Sequence, residues 1–479
     1  MIKIIGNKKW VVNLYRFRSV ENLIGDFEEL EKQQIYFAAR EQLNDPMEGT
    51  LRYFWQGDKI VWENLLKHFL LCLEHVIILS RLMPDDETIT KQDIPIFKNE
   101  KEMPSIYRAR IQKINKQFFD DNFVKSYLGF ILSNPNKIYL EEMYVHLKAL
   151  SRFALKAIFD EDIQRGLIPN PENHQPKRQE IEKFLELDNI WIGLVNKADS
   201  YSMLMELIHN LLKSWDSELL LRYKDSPKFQ SIMIEFPQMY LDSVVRLTYP
   251  ESYVACFMDN CINSSIWGTY GVNHTGVCLK FKVNDPSNAF LPLKTIIGYS
   301  TGTGHHYGYV NFPLKPMEYS SNFDEIDFFR NIGRLPIKQL KEQWYTNENG
   351  DLSICSENIF SKEEEWRKQY WEAYEPAYLK KLPAWSHERE FRIILSSALG
   401  TYDTPKNRLL VYRFEDLEAI IFGMNTPKKA RNEIIEIVKR KCEELGRNQF
   451  DFFEMAFSPS KNELYPRKLS FNLNSHNNN

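Results

Sequence analysis

The chain has 479 residues, with 61 Lys and Arg against 65 Asp and Glu, a formal net charge of −4. This balance excludes a surface built wholly for nucleic acid, which carries a basic excess, and leaves room only for a local basic patch. With 43% hydrophobic and 14% aromatic residues the chain can bury a large core. Global disorder is excluded, and the length predicts roughly two to three domain-sized units.

In chain order, WVVNLYRF at 10–17 is aromatic and β-branched and predicts a strand. Ser19 can cap a helix reaching Leu30, and IYFAA predicts the next strand. Asn44-Asp45-Pro46 closes this β-α-β start, because the residue before a proline is driven out of the helical region. The most apolar stretch, Leu65 to Met83, contains Lys67, Glu74 and Arg81 and reads as a buried helix, not a membrane span. From Asp58 to Pro250 apolar residues recur three and four apart, so helices dominate, with a proline-rich break from Ile168 to Glu180. Strand patterns return in YVACFMD, GVCLKFKV, TIIGYS, REFRIIL and LEAIIFGM. Two helices interrupt them: Glu363 to Tyr374, stopped by Pro376, and TPKKARNEIIEIVKRKCEELG, with Thr426 and Pro427 at its start.

These patterns predict an α+β protein in which a mixed β-sheet domain is split in sequence. Residues 1–57 and 250–470 form the core, 58–249 a helical insertion, and 471–479 a disordered polar tail. Lys8 and Lys9 interrupt what would be the apolar part of a secretory signal, and six scattered cysteines do not resemble a disulfide framework. The expectation is a cytoplasmic chain with reduced thiols and no membrane segment.

Cys256-x4-Cys261-x12-His274-x3-Cys278 has zinc-ligand spacing. However, Gly276 leads into a strand where a zinc finger would continue a helix, so no metal is predicted. TGTGHHYGYV matches neither phosphate-loop pattern and reads as a flexible loop. Neither GxSxG nor HExxH occurs.

Two charged constellations remain. Ser386-His387-Glu388-Arg389-Glu390-Phe391-Arg392 runs into the apolar strand IIL. On a strand Glu388, Glu390 and Arg392 share one face, where paired carboxylates raise one pKa and suit a general base or the stabilisation of a cation. The alternative is a structural ion-pair ladder with Arg16, Arg18 or Arg392. In that case Glu390→Gln orphans a buried charge and costs about 3 kcal/mol or more. Arg16 and Arg18 share a face of the first strand and could pair with these glutamates or bind an anion such as phosphate. Trp267 and Tyr270, three apart, could stack on a planar ligand or plug the core.

LYRFRS, Leu43-Asn44-Asp45-Pro46-Met47-Glu48, SSIWGTYGVNHTGVCLKF, WSHEREFR and AIIFGMNT together resemble a bacterial family catalogued as domain of unknown function 2971. Met47 stands where that family has an aromatic, and Gly268-Thr269 where it has an Ala-His pair. The order of a strand with LYR, a helix, a short strand, an aromatic middle strand and a late E-x-E strand is also similar to the ADP-ribosyltransferase fold. That resemblance implies NAD as substrate, with Arg16 and Arg18 on its phosphate or ribose and Trp267 or Tyr270 against nicotinamide. It makes Glu390 the catalytic glutamate with Glu388 beside it, and implies a nucleic-acid or protein acceptor in stress or phage defence. A buried carboxylate suits the positive charge that develops when nicotinamide leaves. Two other readings stand beside it: a non-catalytic module binding nucleotide, nucleic acid or protein, and a metal-dependent nuclease using Asp45, Glu48 and Glu388.

Overall fold

A computed structural model describes residues 2–5, 8–11, 13–45, 47–49, 51–84, 87–168, 201–283, 289–397 and 400–470. Pro46, the proline-rich break from Pro169 onward and the tail 471–479 lie outside the described residues. The fold is α+β, and the chain divides into two units. One comprises 1–50, 251–323 and 373–479, the other 51–250 and 324–372.

The first unit is built on a mixed sheet. Its strands are β1 (Asn13–Arg18), β2 (Gln34–Tyr36), β3 (Ser252–Met258), β4 (Val277–Lys282), β5 (Phe290–Ser300), β6 (Gly304–Pro313), β7 (Glu390–Ser396), β8 (Leu409–Tyr412), β9 (Leu417–Phe422), β10 (Asp451–Ser458) and β11 (Glu463–Leu469). The main sheet runs β7-β3-β1-β4-β9-β10-β11, with Lys315–Pro316 beyond β7. Its neighbours are antiparallel except β9 and β10, which are parallel and joined through the helix Lys428–Glu444. A second sheet runs β6-β5-β8-β2.

Alternation along the strands gives the main sheet two chemically different faces. Leu14, Ala255, Phe257, Leu279, Ile393 and Leu395 enter a large apolar core on one face. On the other, Phe17, Met258 and Cys278 join Trp267 in a smaller cluster.

Local chemistry explains where the elements end. Ser19 Oγ accepts from Asn22 N at 3.1 Å and starts a helix, but the helix spans only Val20–Ile24 and not the predicted stretch to Leu30. It stops at Gly25 because the following chain needs left-handed backbone at Glu28 (φ 52°) and Gln33 (φ 55°). The helix predicted to stop at Tyr374 runs from Glu363 to Ala377 and includes Pro376 in its last turn. TGTGHHYGYV, predicted as a flexible loop, is a turn only over 301–303; from Gly304 it is strand, and β6 pairs with β5 as a hairpin. Three nearby glycines disguised a strand whose tyrosines and valine carry the β preference.

The second unit packs its helices around Leu65, Leu66, Phe69, Leu70 and Leu73 of the helix Lys59–Leu82. The charges in that helix are accounted for: Glu74 accepts from Arg110 Nε at 2.7 Å, and Arg81 reaches Asp162 at 2.5 Å. No helix among the described residues is long and apolar enough to cross a membrane. This unit also takes in 324–372, beyond the insertion read from sequence. Glu325–Asp327 pairs in parallel with Arg52–Trp55, and Phe328, Phe329, Trp344 and Tyr345 enter its core. The alternating stretches on either side hid this return, because a three-residue strand has no visible period.

Candidate functional site

The charged residues of the first unit converge on one buried cluster. Glu388 ends a 3-10 turn, Pro383–Glu388, and is not on the strand predicted for it; β7 begins only at Glu390. Arg389 between them is left-handed, with φ 49°. Its side chain is sent out to Asp259, at 2.5 Å, while both glutamates turn inward. The two carboxylates therefore meet through a local reversal and not through strand alternation.

Lys381 sits between them. It donates to Glu388 Oε2 at 2.6 Å and to Glu390 Oε2 at 3.3 Å, and lies 3.6 Å from Glu48 Oε2. Arg392 donates to Glu390 through Nε at 2.7 Å and Nη2 at 3.2 Å, to Tyr378 O at 3.0 Å, and lies against Glu48. Tyr270, at the end of the helix Ser264–Thr269, donates to Glu388 Oε1 at 2.8 Å. The Tyr319 hydroxyl accepts from Glu390 N at 2.8 Å. Glu48, Lys381, Glu388, Glu390 and Arg392 are each 2% exposed or less.

Burial pushes the Glu390 carboxyl up to about 7, against the pull of Lys381 and a hydrogen bond from Cys256 and with the push of Glu388. Burial also raises the Tyr270 hydroxyl. Lys381 is raised: its carboxylates, Glu390 first, outweigh burial, which alone would lower it.

The other predicted residues lie elsewhere. Arg16 faces Leu279 in register and stands over the Phe257 ring at 5.6 Å, on the large-core side of the sheet. Glu390 faces Met258, and Tyr15 on β1 faces the same Met258, so Glu390 belongs to the opposite side. The sheet thus separates Arg16 from Glu390 and Tyr270. Arg16 donates to Cys256 O at 3.3 Å and Tyr36 O at 3.0 Å, and burial lowers it to about 10. Arg18 does not reach the late glutamates; its Nε donates to Glu29 at 2.7 Å. Trp267 is fully buried, donates to Cys261 O at 2.7 Å and packs edge-on against Phe17 at 4.9 Å, so it plugs the core.

β1 lies between the strands that carry Cys256 and Cys278, and no group of three metal-ligating residues gathers among the described residues. Sequence reasoning missed Lys381 and Tyr319. The signal available was a lysine in an apolar stretch, Lys381-Leu382-Pro383-Ala384-Trp385, four residues from a tryptophan whose ring it approaches at 4.7 Å.

A family model described as protein of unknown function (DUF2971) matches residues 266–393. That span contains Tyr270, Lys381, Glu388, Glu390 and Arg392. No curated protein and no solved structure matches the chain.

Proposed function

We propose that this protein acts by binding, as a non-catalytic module for a nucleotide, nucleic acid or protein, and that the Glu-Lys-Arg cluster is its internal framework. The observation that carries this reading is Glu390: it is 2% exposed, and both of its oxygens are held by Arg392 and one also by Lys381. A carboxylate engaged on both sides and shut off from water is arranged to join segments. Here it ties β7 to the short strand at Lys380–Lys381, and its two partners, Lys381 and Arg392, also reach Glu48 in a separate turn. Lys381 also stands between Glu48 and Glu388, two of the three residues, with Asp45, that the nuclease reading assigns to a divalent ion.

A second reading, transfer of ADP-ribose from NAD, draws support from strand order. The strands bearing Arg16 and Glu390 flank one middle strand, and Tyr270 touches Glu388. It requires Arg16 and Glu390 in one pocket, and they project from opposite faces.

Two measurements test the binding reading, the stability of Lys381→Met and the turnover of NAD, and the second separates it from the enzymatic one. Leaving three carboxyl groups with one cation is expected to cost about 3–5 kcal/mol in denaturant unfolding, while wild-type protein incubated with labelled NAD consumes none and labels neither nucleic acid nor protein. NAD turnover that Glu390→Gln abolishes would replace the binding reading with the enzymatic one.

A further inference from the structure

The hairpin of β5 and β6 carries an exposed aromatic stripe that nothing in the buried cluster uses. Among the described residues, the only strand partner of β5 beyond Lys294 is β6. The register opposes His305 to Tyr299, Tyr307 to Ile296 and Tyr309 to Lys294, with a bulge between His306 and Tyr307. Along β6, His305, Tyr307 and Tyr309 therefore share one face with Tyr299 and Lys294. Tyr299 is 66%, Tyr307 58% and Tyr309 44% exposed. Such a row of large rings on a solvated ribbon contributes nothing to a core and is costly to leave without a purpose.

Charge and spacing indicate the occupant. Residues 289–313 contain no Asp or Glu, in a chain whose acids outnumber its bases, 65 to 61. Arg413 stands 4.5 Å over the Tyr309 ring, and Lys294 is exposed beside it, so the stripe ends in two cations. Alternate residues of a strand are about 6.8 Å apart, twice the roughly 3.4 Å rise of stacked bases. Successive rings can thus each take a base face, while a phosphate backbone runs toward Arg413 and Lys294. His306 is occupied with the turn, at 3.0 Å from Thr303 Oγ1 and 3.2 Å from Ser300 Oγ, and holds the tip in shape. Tyr309 and Arg413 also line a cavity of about 340 Å³, together with Lys441, Glu415 and Glu444.

We infer that this hairpin binds single-stranded nucleic acid by stacking bases on Tyr299, Tyr307 and Tyr309 and pairing phosphates with Lys294 and Arg413. The inference gives the binding reading a ligand and rests on it in that respect, but it stands on a different surface from the buried cluster.

The test uses the full chain and fluorescently labelled twelve-residue oligo-dT and oligo-rU, followed by anisotropy at several salt concentrations. Binding is expected to weaken by about tenfold or more in Tyr307→Ala/Tyr309→Ala and to persist in Tyr307→Phe/Tyr309→Phe. In Arg413→Gln the slope of log affinity against log salt should fall by about 0.7. Unchanged thermal unfolding of each variant shows that the fold is intact. Absence of oligonucleotide binding, or equal binding by the alanine variant, overturns the inference. So does a protein strand added to the free edge of β6 in place of the oligonucleotide. None of these outcomes touches the Lys381→Met and NAD tests, so the two readings fail separately.

Discussion

Within the buried cluster three carboxyl groups, Glu48, Glu388 and Glu390, face two cations, Lys381 and Arg392. A surplus negative charge without water is expensive, and the least costly relief is a proton. Glu390, pushed up to about 7 by burial, is the carboxyl group of the three that this favours. The expectation of about 3 kcal/mol or more lost in Glu390→Gln is kept, because glutamine, though neutral like the protonated form, turns an amide N–H2 onto the N–H groups of Arg392 or Lys381. The native state binds this proton at higher pH than the unfolded chain, whose glutamate titrates at 4.5. The stabilising contribution is full below that value and is lost as pH rises through about 7. Urea unfolding is expected to show wild type losing stability relative to Glu390→Gln between pH 5 and 8; a difference that stays flat or rises with pH would remove the proton from Glu390.

At the scale of elements, the loop that aims Tyr270 at Glu388 is unusual. Val272, Asn273 and His274 all have positive φ, at 49°, 51° and 68°, and for a β-branched valine this is a costly conformation. The loop is held from outside: Gly423 N donates to Gly276 O at 3.1 Å, and Asn425 N to His274 O at 2.9 Å. A Cβ on residue 423 would fall 2.2 Å from His274 O, a backbone atom with nowhere to move. Gly423→Ala is expected to cost about 1–3 kcal/mol or more by displacing this loop, read as a lowered unfolding midpoint. A midpoint equal to wild type would mean that the loop is not seated on β9. The sequence GVNHTG announces a turn but not its handedness. The handedness follows from contacts made 150 residues away along the chain, such as Thr426 Oγ1 to Gly276 O at 2.8 Å.

At the scale of the whole molecule, the two units have separate cores, one around Leu65, Phe69 and Leu73, the other around Phe257, Leu279 and Ile393. Units with their own cores unfold as separate cooperative blocks. Calorimetry is expected to resolve two transitions, with Lys381→Met lowering only the one that belongs to the sheet unit; a single transition shifted as a whole would show one block.

The sequence by itself determined the α+β class, the helical middle and most of the strands, because periodicity and capping act within a few residues. It also identified Glu388, Glu390 and Arg392 as charges that a buried strand must answer for. Only the tertiary structure decided what answers them. Lys381 and Glu48 arrive from other segments. Arg16, which has the right chemistry on an adjacent strand but one, is turned by the two-residue alternation of β1 to the far side of the sheet. Sign and composition can be read along a chain, but which face a side chain takes, and which partner meets it there, is set by strand register between residues hundreds of positions apart.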